Sequence, residues 1–154
     1  MRPVSFARGV AAALFAASVA ANAAPNKKLP VSIGEVETTA AMPAALRPLL
    51  QRTVQEELAL QDFGRARYAK KYILSASLLK LENAHRASTV TSTCVVSVVL
   101  RSQDQVLVAM IRGQASAEGA RSRAAEAQSE ALRGAVRSAL GRVPRALRAT
   151  ESRR

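Results

Sequence analysis

The stretch that most constrains the fold is a matched pair of β-branched runs, TSTCVVSVVL (91–100) and QVLVAMIRGQ (105–114), separated by Arg101-Ser102-Gln103-Asp104. Turn-forming residues between two equal runs describe a hairpin. A membrane helix through the same region would carry Arg101 and Asp104 near its middle, at about 2.5–3.5 kcal/mol each. Neither apolar run alone approaches the roughly 20 residues that span a bilayer. The hairpin makes this a sheet-containing protein, and the rest of the chain must supply what covers the sheet.

The flanking segments supply strands and helices. VSIGEV (31–36) alternates like a first strand, and YILSASLLKLE (72–82) like a second. Between them Leu46, Leu49, Leu50, Val54 and Leu58 recur at helical spacing. Pro48 then falls in the first turn of a helix starting near Arg47, where its missing N–H leaves no bond unmade. Beyond Gly119 the period changes again: Ala127, Ala131, Leu132, Ala135, Val136, Ala139 and Leu140 form one stripe of a helix that Pro144 is expected to end. The expected architecture is α+β, in the order β-α-β-β-β-α, with a single mixed sheet and two helices packed on one face.

The amino terminus sets the organisation. Arg2 and Arg8 precede the uncharged GVAAALFAASVA (9–20), and Ala21-Asn22-Ala23 has the small-x-small pattern of a cleavage site. This is the layout of a secretory signal peptide. The chain therefore divides into a signal peptide (1–23), one α+β domain (24–143) and a basic, frayed tail (144–154), with no membrane span after cleavage and a periplasmic or secreted destination. With Cys94 as the one cysteine, no intrachain disulfide forms and stability comes from packing. Loss of Arg2 and Arg8 takes the formal charge from +12 to +10. That field favours anionic partners without choosing among them.

Catalytic chemistry finds no footing. His85 is the sole histidine, in a polar turn, and no serine has the GxSxG context of a nucleophile elbow. Cys94 shares a strand face with Val96 and Val98, so it reads as a core thiol, inert for want of its thiolate. One His and one Cys among scattered acids give no metal-ligand spacing. We expect no enzyme activity, no cofactor and no metal.

The sheet has two unequal faces. Leu74, Ala76, Leu78, Cys94, Val96, Val98, Leu100, Leu107, Ala109 and Ile111 are expected under the helices. The other face would carry Val95, Val99, Val106, Val108 and Met110, rimmed by Arg101 and Arg112, as an exposed apolar strip of the kind that marks a partner-binding surface. Arg133, Arg137, Arg145 and Arg148 recur along the final helix as a second candidate, an anion-binding stripe.

The segment YILSASLLKLE, the hairpin with its small-residue ending GQASAEG and the alanine-rich helix after it resemble the amino-terminal domain of TolB and related domains in lipoprotein activators of penicillin-binding proteins. Ser75-Ala76-Ser77 matches the opening of that family's strand after the first helix. The resemblance implies a non-catalytic, protein-binding domain of the bacterial envelope, although this chain has no lipidation cysteine. The α-β-β-β-α portion is also similar in order to a double-stranded-RNA-binding domain. That family's phosphate-gripping lysines are replaced by Arg121 and Arg123 next to Glu126, and export argues against nucleic acid. The expected partner is an envelope protein, with an anionic envelope polymer or lipid surface as the alternative.

Overall fold

The computed structural model describes residues 29–39, 42–64, 68 and 70–152. The expected signal peptide lies outside them. Four strands, β1 (Val31–Thr38), β2 (Tyr72–His85), β3 (Thr89–Ser102) and β4 (Leu107–Ala120), lie side by side in that order. β1 runs parallel to β2, and β2–β3 and β3–β4 are antiparallel. Helix α1 (Leu46–Ala59) makes the crossover that a parallel pair requires. A 3₁₀ turn at Arg121–Arg123 leads into α2 (Ala124–Leu140), and α3 (Val143–Glu151) follows. This is the expected mixed sheet and element order, with one short helix more.

All three helices cover the same face. Leu50, Val54 and Leu58 of α1 and Ala131, Ala135, Val136 and Ala139 of α2 are buried against Leu74, Ala76, Leu78, Cys94, Val96, Val98 and Leu100. Along β4 the covered positions are Gly113, Ala115, Ala117 and Gly119, and α2 lies directly upon them. A methyl built on Gly113 would stand 2.0 Å from the Ala135 carbonyl oxygen. Only glycine permits that approach.

The tail expected from Pro144 is instead α3. Pro144 sits in that helix's first turn, so it begins a helix rather than only ending one. Val143 and Leu147 are buried in the common core, and the buried Tyr72 hydroxyl donates to Glu151 Oε1 at its far end. Apolar positions at i and i+4 on a short basic helix suffice to dock it.

Candidate docking face

The face without helices is built from alternate residues of the paired strands. Val99 lies between Ser75 and Met110, Arg101 between Ile73 and Leu107, Ser97 between Ser77 and Arg112, and Val95 between Lys80 and Gln114. Met110 is 62% exposed and Leu107 58%, whereas Val95 and Val99 are half-buried by their neighbours. An apolar strip thus crosses three strands, from Ile73 through Val99 to Met110 and Leu107. Arg101, between Ile73 and Leu107 at the strip's end, and Arg112 at its β4 edge are exposed, and neither has an acidic partner among the described residues.

Two expected members of the strip are placed differently. Val108 is half-buried and packs against the core, not on the open face. Val106 is exposed but lies in the connection before β4 begins. The cause is a register shift between Leu100 and Arg101, which slips one extra residue into β4 so that Arg101 pairs with Leu107. One extra residue reverses which side chains face outward beyond it. Leu107, assigned to the covered face by simple alternation, is therefore the strip's fourth apolar member. A second shift, between Leu78 and Lys80, leaves Leu79 exposed as well. Nearness to the hairpin turn, where Gln105 adopts a φ of 62°, is the only hint of the first shift in the sequence.

The arginines expected along one final helix are divided between two helices. Arg133 and Arg137 belong to α2, and Arg145 and Arg148 to α3. The break at Gly141-Arg142 interrupts the helical period on which the stripe depended. Arg137 is also committed: its Nε donates to Glu57 Oε2 at 3.0 Å and its Nη2 to Oε1 at 2.8 Å. Glu57 is buried on α1, and these bonds, together with its charge, hold the Arg137 guanidinium above its ordinary pKa. Arg133 pairs with Glu130 at 3.5 Å, and Arg123 with Glu126 at 3.8 Å.

Other chemistry is sparse. Cys94 is buried and free, and burial pushes its thiol up to about 11. Shallow clefts among the described residues include two that flank the sheet. One of about 440 Å³ lies where β4 meets α2, lined by Glu118, Arg123, Glu126 and Glu130. The other, of about 340 Å³, lies beside the hairpin turn against Lys70, Ser102, Asp104 and Leu107. No cluster of three or more metal-ligating side chains forms among the described residues. No helix among them is long and apolar enough to cross a membrane.

No family model matches the chain, and no curated protein matches it. Solved structures do. The hypothetical protein CT253 from Chlamydia trachomatis superposes with a TM-score of 0.55 at 12% identity, over 77% of this chain and 97% of that one. Rare lipoprotein B from Shewanella oneidensis gives 0.40 at 14% identity, over 79% and 98% of the two chains. A minor lipoprotein from Acinetobacter baumannii gives 0.41 at 11%, over 79% and 92%. What this chain shares with the Chlamydia protein is the fold, and at such identity the fold alone.

Proposed function

We propose that the chain is an exported, non-catalytic adaptor domain of the bacterial envelope that docks a protein partner through the open face of its sheet. The observation that carries this reading is the uncovered apolar strip of Ile73, Val99, Leu107 and Met110 with its unpaired rim of Arg101 and Arg112. An apolar sheet face left bare opposite three helices supports docking there. The signal-peptide pattern and the resemblance to the TolB amino-terminal domain accord with it.

The test is in-cell cross-linking and recovery of the tagged protein from the envelope fraction, washed at low and high salt. One dominant protein partner held through high salt, and lost in a folded Val99→Asp/Met110→Asp variant, is the expected result. Unchanged capture by that folded variant refutes the sheet-face reading. A second reading, binding to an anionic polymer or lipid surface, rests on Arg145 and Arg148, which are exposed and have no acidic partner among the described residues. It requires a capture that salt abolishes and that Arg145→Ala/Arg148→Ala weakens.

A further inference from the structure

β4 is the outer strand of the sheet, fourteen residues long, with no strand beyond it among the described residues. A long edge strand is a template for another strand. The phase of its free backbone groups follows from the ladder. The Arg121 N–H bonds the Ser88 carbonyl. Alternation from that pair turns the N–H and C=O of the even-numbered residues from Met110 to Ala120 outward. The Arg112 carbonyl confirms the phase, since the Arg142 guanidinium donates to it from outside at 3.4 Å.

The same even-numbered residues place Arg112, Gln114, Ser116 and Glu118 in a row of exposed side chains. Neither Arg112 nor Glu118 has an ion-pair partner among the described residues. Two copies of β4 can pair antiparallel about a two-fold axis. An axis at Ala115 sets Arg112 against Glu118 of the second copy, and Gln114 against Ser116, each twice. Moving the axis to Gln114 or Ser116 sets Arg112 against Ser116 or Ala120 instead. The Ala115 register is thus the one that matches the charges, and it pairs residues whose backbone groups already face outward. On the helical side, α2 presents Gly134 above Ala115, so no bulky side chain stands at the axis.

We propose that the β4 edge is a self-association surface, where a second copy of this chain adds antiparallel in the Ala115 register and joins two four-stranded sheets into one. The surface adjoins the docking face and shares Arg112 with its rim. In the joined sheet both docking faces lie on the same side, so a dimer presents the strip twice to one partner or one surface. Arg142 guards the Arg112 carbonyl in the single copy and gives way to the Glu118 N–H of the second.

The experiment is sedimentation velocity of the purified protein over a range of concentrations, with circular dichroism to establish that each variant is folded. The native protein is expected to show a monomer–dimer equilibrium. Arg112→Glu and Glu118→Arg each create two like-charge pairs and should weaken it about tenfold or more, while the double variant Arg112→Glu/Glu118→Arg should restore it. Gln114→Pro removes an outward N–H and no bond to β3, so it should yield a folded monomer. A native protein that stays monomeric up to about 1 mM overturns the proposal. So does a dimer that persists in folded Gln114→Pro, or a double variant no tighter than the single ones.

Discussion

Replacing Gly113 with alanine tests the closeness of α2 to the sheet. The added methyl would lie 2.0 Å from the Ala135 carbonyl oxygen, 2.7 Å from the Ala139 nitrogen and 2.9 Å from Ala139 Cβ. Carbon–oxygen contact needs about 3.3 Å, so the layers must part by roughly 1.3 Å. Two of the three obstructing atoms are helix backbone, which cannot rotate away. Lifting α2 by even about 1 Å forfeits a quarter to a half of each contact beneath it, and Ala131, Ala135 and Ala139 are all fully buried there. Overpacking of this kind costs about 1–3 kcal/mol. We expect the upper end, about 3 kcal/mol, set against a total stability of about 5–15 kcal/mol. The intrinsic gain from removing a glycine, about 0.4–1 kcal/mol, offsets part of a still larger strain. Urea unfolding measures the difference, with two internal controls. Gly134→Ala meets Ala115 Cβ at 2.8 Å and Gly34→Ala meets the Ile73 Cγ2 methyl at 2.7 Å, side-chain rather than helix-backbone atoms, so each should cost less than Gly113→Ala. A Gly113→Ala protein within about 1 kcal/mol of native, with an unchanged slope, would refute the reasoning.

Two further expectations concern charge. Arg137→Met should lower the urea midpoint more than the double variant Glu57→Met/Arg137→Met, because the single change strands the Glu57 carboxylate in the core and the double change removes it; equal midpoints would count against the pair as the reason the carboxylate is tolerated. For Cys94 the sign follows from a thiol raised by burial from 9.0 to about 11. Below pH 9 it is protonated in both states, and between pH 9 and 11 only the unfolded chain ionises, so stability falls as pH rises, by up to about 2.7 kcal/mol. Subtracting the pH 8–11 unfolding curve of Cys94→Ala from that of the native protein isolates this loss, and parallel curves would sink the account.

The features legible in the sequence are those set by the period of burial. α1, β3 and the first half of β2, Tyr72 to Leu78, each bury one face at a regular period, so alternation or helical spacing announces them, and their order leaves little freedom in the topology. Local interruptions were not legible. A single extra residue in β4 exchanges the roles of Leu107 and Val108, and the turn geometry that inserts it leaves no trace in hydropathy. The division of the arginine stripe has a similar cause: two residues, Gly141 and Arg142, reset the phase between α2 and α3, and Pro144 reads equally as a stop or a start. The Arg137–Glu57 pair spans 80 residues of sequence, a separation at which no local pattern operates.

The small residues of β4 show where a local pattern does reach tertiary structure. Gly113, Ala115, Ala117 and Gly119 alternate with Arg112, Gln114, Ser116 and Glu118. The odd positions carry at most a methyl group because α2 lies upon them. The even positions are polar because they face solvent beside an unpaired edge. A strand that only closed the sheet would need the first half of this pattern. The second half, an arginine and a glutamate equidistant from Ala115 and both left without partners, is what a strand meeting its own copy requires. Charge reversal at those two positions therefore separates a strand that ends the sheet from one that continues it.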